Sequence, residues 1–278
     1  SIRTHVEQRP DRYIERVYLM IDNNPSPMGA TFHFTPTSGR ADIETRVRID
    51  AYTHVRAIAE MNTGELYMAT RFVKASGGCS APPGKDVTAA MASLGKMRFR
   101  VEGEVEPGKP ALAQLMISHP NNSGLVMDQL TRMYTPAYFV RRIQVSYAGK
   151  PVLSADVDFS ISENPNFRFY FVPTGEGELK AEVIDTNDLR FETVVKVGAG
   201  IHAVTVQTIP PHVLPNKLQY WVLAAQSAAF NPIVNTRSNG PDRPTHPSRA
   251  AARRLPVQCG AGPARGPVAV AMPGAGQG

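Results

Sequence analysis

Few residues in this chain combine type and spacing in a way that points to chemistry, and Cys79 leads them. It follows Gly77 and Gly78 and precedes Ser80-Ala81-Pro82-Pro83. Two glycines ahead of a sulfur remove side-chain bulk and allow close backbone approach, so a thiol on such an arm can enter a narrow cleft in another protein. Pro82 and Pro83 oppose absorption of the segment into a sheet, which predicts an exposed thiol. As a thiolate it would be a nucleophile or a covalent attachment point, and Lys74 and Lys85 favour that form if they fold back onto it. An inert linker cysteine, or one paired with Cys259, is the alternative at this level. Those are the two cysteines of the chain, too few for a disulfide scaffold, and neither sits in a Cys-x-x-Cys pair.

Other chemistry-bearing patterns fall short of a site. Gly78 to Lys85 looks like a phosphate-binding loop, but five residues separate Gly78 from Gly84 where four are needed, and Asp86 stands in place of Ser or Thr. His33, His54 and His119 belong to different strands or turns without metal-ligand spacing, so no metal and no cofactor is expected. Glu102, Glu104 and Glu106 lie at period two, on one solvated strand face rather than as an acid–base pair. Asn121-Asn122-Ser123 fits a glycosylation pattern, which would be irrelevant were the protein bacterial.

Strands must position these residues, since the dominant pattern before residue 200 has period two. Tyr13–Ile21 reads as a strand closed by Asp22-Asn23-Asn24-Pro25. Ile43, Thr45, Val47 and Ile49 alternate with charged residues, Val55, Ala57, Ala59 and Met61 do the same, and Asn62-Thr63-Gly64 turns the chain into Leu66, Met68, Thr70 and Phe72. A second set starts at Met97 and runs through Leu115 and Ile117, Phe139–Tyr147, Val152–Phe159, Phe167–Phe171, Leu179–Ile184 and Phe191–Val197. Short strands punctuated by Gly, Pro and Asn predict an all-β fold of two immunoglobulin-like sandwiches. Between them, Asp86 as N-cap and Gly95 as stop predict one short helix over 87–94. The expected division is 1–74, a linker 75–96 bearing Cys79 and the helix, 97–200, and a tail 201–278.

The net charge of +6 resembles a nucleic-acid signal until it is located. Residues 1–200 balance 23 basic against 23 acidic residues, whereas 201–278 holds seven basic residues against Asp242 alone. A nucleic-acid reading therefore rests on the tail only. That tail carries 11 of the 24 prolines and ends in Gly- and Pro-rich runs, which predicts mostly disordered chain, with Leu218–Ala225 around Trp221 as a short amphipathic helix or a docking segment. An out-of-frame product of a GC-rich gene has the same composition. No stretch approaches the ~20 apolar residues of a membrane-spanning helix.

Ile21-Asp22-Asn23-Asn24-Pro25-Ser26-Pro27, Ser38-Gly39-Arg40-Ala41-Asp42 through Arg48, Thr53-His54-Val55-Arg56-Ala57 and Arg71-Phe72-Val73-Lys74-Ala75-Ser76-Gly77-Gly78-Cys79 together resemble the SoxY-like half of the quinoprotein dehydrogenase-associated SoxYZ-like carriers. Ile117-Ser118-His119-Pro120, Asn122-Ser123-Gly124, Pro136-Ala137-Tyr138-Phe139-Val140 and Ser160-Ile161-Ser162-Glu163-Asn164-Pro165 resemble SoxZ. The resemblance spans about residues 13–198. It implies a fused, non-catalytic, periplasmic carrier in which Cys79 holds sulfur intermediates covalently, Gly77 and Gly78 form its flexible lead, and the two modules contact each other. Its implied partners are periplasmic sulfur-oxidising enzymes or a quinoprotein dehydrogenase system. One departure from SoxY stands out: the arm continues through Ser80-Ala81-Pro82-Pro83 into the next module, so it is a tethered loop rather than a free terminus. An adaptor or chaperone for the dehydrogenase, with Cys79 incidental, is the alternative function. The chain starts at Ser1 without a hydrophobic leader, so a signal peptide is expected to lie outside it.

Overall fold

Alternation of apolar and polar side chains places one face of each strand against a common interior, and the computed structural model shows how those faces meet. It describes residues 1–81, 87–128 and 131–198, together with the backbone strands at 205–208 and 268–269. In chain order the strands are β1 (Ile2–Arg3), β2 (Ile14–Ile21), β3 (Met28–Phe34), β4 (Ile43–Glu44), β5 (Thr53–Met61), β6 (Leu66–Val73), β7 (Met97–Glu102), β8 (Ala111–Ile117), β9 (Val140–Tyr147), β10 (Lys150–Val157), β11 (Asn166–Phe171), β12 (Gly177–Asp185), β13 (Arg190–Val197), β14 (Thr205–Thr208) and β15 (Val268–Ala269), with, among the described residues, an α-helix, α1 (Val87–Ala92), and a 3-10 turn over Pro36–Ser38. The fold is all-β in two layers. One sheet runs β6-β5-β2-β3-β10-β9-β12-β13-β14 and the other β15-β1-β4-β11-β8-β7.

Each half of the sequence contributes strands to both layers, and the halves join edge to edge twice. In the larger sheet β3 pairs antiparallel with β10 from Phe34↔Leu153 to Ala30↔Val157. In the smaller one β4 pairs with β11 through Ile43↔Phe169 and Glu44↔Arg168. Between the layers, Phe32 of the first half meets Phe167 of the second edge to face at 6.3 Å, and both are fully buried within one continuous apolar core. On the outer face of the smaller sheet Arg168 bridges Glu44 at 3.1 Å and Glu102 at 2.7 Å.

This double seam carries a prediction. Fragments 1–80 and 81–278 produced as separate chains are expected to elute from gel filtration as one complex, because two backbone ladders and a shared core join the halves, and specific interfaces usually bury at least ~1,200 Å² in total. Two independent peaks would show that the seam does not hold without the covalent link.

Several boundaries differ from the period-two reading, each for a physical reason. The expected strand over 43–49 is reduced to β4, because beyond Glu44 the chain leaves the ladder with β11 and pairs irregularly with residues 160–162: Ser162 N–H donates to Arg46 O, Arg48 N–H donates to Ser160 O, and Val47 bridges Ile161. β3 was not anticipated, since Pro25 and Pro27 precede it and Met28-Gly29-Ala30 lacks alternation, yet it is the seam strand of the larger sheet. Glu104 and Glu106 lie beyond the end of β7, where Gly103 turns the chain at φ +76°, so they do not share a strand face with Glu102. β14 adds to β13 from Val195↔Thr205 to Glu192↔Thr208, inside the segment expected to be disordered. Trp221, the segment 218–225 and Cys259 lie outside the described residues.

Candidate functional site

The site is built at one end of the sandwich, where loops from both halves converge on the segment that follows β6. Beyond Val73 the chain leaves the sheet, and Gly77 then adopts φ +72°, a conformation that side-chain-bearing residues disfavour. That turn lets Gly77 N–H donate to Asp50 O at 2.8 Å, and Gly78 N–H donates to Ile49 O at 2.8 Å. Contact at Gly78 is so close that a Cβ there would stand 2.8 Å from Ile49 O and 2.9 Å from Ile49 N. Close approach, the property read from the two glycines, is therefore realised within the chain itself.

Docking of the arm buries the thiol, which corrects the expectation of an exposed one. Cys79 is 1% accessible and unpaired. Its carbonyl accepts a hydrogen bond from Ser123 Oγ at 2.5 Å, and Ser123 in turn accepts from Leu125 N–H. Burial pushes the Cys79 thiol up to about 11, the Asp50 carboxylate adds to the rise, and Arg48 opposes it. The protonated, unreactive form is thus favoured in this conformation. Lys74 is exposed and Lys85 lies outside the described residues, so the neighbouring cation that acts on the sulfur is Arg48 rather than either lysine.

The platform beneath the arm is tied across both halves. Arg48 Nη1 donates to Phe159 O at 2.9 Å and to Ile161 O at 2.8 Å. Buried Asn24 donates to Arg48 O and Ser160 Oγ, and its Oδ1 accepts from Asp50 N–H. Behind Ser123, Asn121 donates to Ile161 O and accepts from Val140 N–H, while Asn121 N–H donates to His119 Nδ1 at 3.1 Å. That bond leaves the imidazole proton on Nε2, which faces Asp185 Oδ2 at 3.5 Å. Asp185 also accepts from Tyr138 OH at 2.8 Å and from the N–H groups of Asn187 and Leu189. Burial alone would raise its pKa, but the hydrogen bonds from His119, Tyr138 and the two backbone amides outweigh it and hold the carboxyl below its ordinary value.

His119 is thus a buried structural residue behind the site, far in role from His33, which faces Asp156 on β10, and His54, which lies against Phe72. The sequence reading missed Arg48, Asp50 and Asn24. Arg48 looks like one more outward charge in an alternating run, and only the irregular pairing with 160–162 turns it inward. A signal existed for Asn24, Arg48 and Ser123, which lie in the motifs that resemble SoxY and SoxZ; Asp50 had none.

Comparison with known families places two matches on this chain: residues 1–79 match "Sulfur oxidation protein SoxY" and residues 97–196 match "Sulphur oxidation protein SoxZ". The first match ends on Cys79. No curated protein matches the chain. Among solved structures it is similar to the fibronectin(III)-like modules of Clostridium thermocellum CbhA, at 10% identity and a TM-score of 0.24, over 69% of this chain and 80% of that one.

Proposed function

A chain that joins a SoxY-family region to a SoxZ-family region belongs with the carrier proteins of sulfur oxidation, and from that premise we propose that Cys79 is its covalent handle. The supporting observation is the arm itself. A cysteine that ends the SoxY match is held by two glycine N–H bonds and one hydroxyl bond, on a platform made by both halves. Three such bonds are worth about 0.5–1.5 kcal/mol each, so the arm can be released at modest cost.

In this reading the docked state keeps the thiol protonated and covered, and a partner enzyme captures the released arm. Formation of an S–S bond between the Cys79 sulfur and a sulfur anion frees one proton and two electrons, and a partner oxidoreductase takes the electrons. Arg48 supplies the positive charge nearest the thiolate and favours an anionic adduct when the arm returns. Catalysis resides in the partners, which are periplasmic sulfur-oxidising enzymes. Gly77 and Gly78 serve twice, as the close-packed base of the docked arm and as its hinge.

The burial of the thiol supports a second reading, in which the chain is an adaptor for a quinoprotein dehydrogenase and Cys79 only packs. Mass spectrometry of protein purified from its native compartment without reductant separates the two. A carrier shows thiol-releasable additions of sulfur or thiosulfonate mass on the Cys79 peptide while the pathway is active. Cys79 found only as free thiol or joined to Cys259 under those conditions sinks the carrier reading, and retention of function by Cys79→Ser then assigns the adaptor role.

A further inference from the structure

The larger sheet ends in β6, which among the described residues pairs only with β5, while β15 of the smaller sheet lies beside it. Strand edges of this length are normally blunted by proline, a bulge or inward charge. β6 has none of the first two: its sequence LYMATRFV lacks proline and its ladder with β5 runs without a register shift from Glu60↔Leu66 to Thr53↔Val73. Its outward side chains are apolar and open, with Leu66 66%, Met68 57% and Phe72 49% accessible.

The hydrogen-bonding phase of this edge follows from the hairpin. Met61 N–H donates to Glu65 O at 2.9 Å, so Met61 turns its backbone groups toward β6. In an antiparallel ladder that orientation repeats at every second residue. Ala59, Ala57, Val55 and Thr53 therefore bond Tyr67, Ala69, Arg71 and Val73. Leu66, Met68, Thr70 and Phe72 are left with N–H and C=O groups aimed away from β5. The same four residues carry the outward side chains, so backbone donors, acceptors and apolar surface coincide.

We infer that β6 is a homodimerisation edge, pairing antiparallel with β6 of a second copy about a two-fold axis through Ala69. Only residues with outward backbone groups can form hydrogen-bonded pairs, and the register that uses all four sets Leu66 opposite Phe72 of the second copy and Met68 opposite Thr70. Shifting by two residues in either direction leaves at least one of them unpaired. The chosen register is self-complementary: it buries Leu66 against an aromatic ring at both ends. It also sets Arg71 opposite Tyr67 rather than opposite a second arginine, so no like charges meet. Strand pairing plus these side chains buries on the order of 1,000 Å² in total, the lower bound for a specific interface, which fits a reversible dimer of micromolar affinity.

Sedimentation equilibrium of the full chain between about 1 and 100 µM is expected to move from one chain to two. Thr70→Pro removes an outward N–H that bonds nothing in β5, as edge strands tolerate, and is expected to raise the dissociation constant at least tenfold with an unchanged thermal transition. Because that variant can still disturb the strand, Ala69→Cys provides an independent measurement. Residues on the axis face each other as a non-hydrogen-bonded pair at about 4.5 Å between Cα atoms, within disulfide range. Mild oxidation should give an inter-chain disulfide whose peptide mass maps to position 69 in both chains, and Thr70→Cys should not cross-link to itself. A single-chain mass at every concentration overturns the inference. So does a dimer that forms the Thr70→Cys cross-link instead, or amides of Leu66, Met68, Thr70 and Phe72 whose exchange protection is independent of concentration, since the chain's own residues would then cover the edge.

Discussion

Gly78→Ala is expected to raise the alkylation rate of Cys79 at pH 7.5 by about ten- to a hundredfold. The added methyl meets the Ile49 backbone at 2.8–2.9 Å, and backbone atoms cannot yield as a side-chain tip does, so the arm must leave its seat. Release returns the thiol from about 11 toward its ordinary value near 9.0. Two units of pKa multiply the thiolate fraction by about 100, and the lower intrinsic nucleophilicity of the less basic sulfur takes back about tenfold, while loss of cover adds to the rate. The pH profile distinguishes this from simple loosening: the apparent pKa of alkylation falls from about 11 to about 9 in the variant. An unchanged profile would mean that the docked arm does not control the thiol. The same linkage affects stability. A thiol whose pKa is raised on folding contributes stabilisation that is full below pH 9 and lost as pH rises toward 11, so the docked arm of the unmodified protein should open over that window.

Asp185→Ala is expected to be the most destabilising single substitution at the site end, by about 3–5 kcal/mol in urea unfolding. It strips three donors of one buried acceptor, Tyr138 OH and the N–H groups of Asn187 and Leu189, and removes the carboxylate that His119 Nε2 faces at 3.5 Å. Because the native pKa of Asp185 lies below its unfolded value, its contribution is present above the unfolded pKa and is lost as pH falls through the native one. The parent should therefore lose stability in acid more steeply than Asp185→Ala. A cost under about 1 kcal/mol would show that solvent reaches the network. Loosening of His119 also frees Asn121, two residues before the Ser123 that holds the Cys79 carbonyl, so the variant should show faster Cys79 alkylation even where it remains folded.

Period-two alternation determined on its own that the chain is all-β, where most strands lie, and that turns such as Asn62-Thr63-Gly64 separate them, because these depend on local side-chain faces and backbone freedom. Residue type singled out Cys79 with Gly77 and Gly78, since few residues permit an arm without bulk. Tertiary structure decided the rest. Residues 43–49 keep their alternation but spend it on two partners, first β11 and then the 160–162 loop, and this choice turns Arg48 from an outward charge into the floor of the site. β3 lacks an alternating signature and is held as a strand by β2 and β10 on either side, so only assembly reveals the seam. Glycine read locally means freedom of the chain. Whether that freedom is used to swing an arm out or to press it against Ile49 depends on a surface more than twenty residues away in sequence, supplied by both halves, and periodicity carries no information about it.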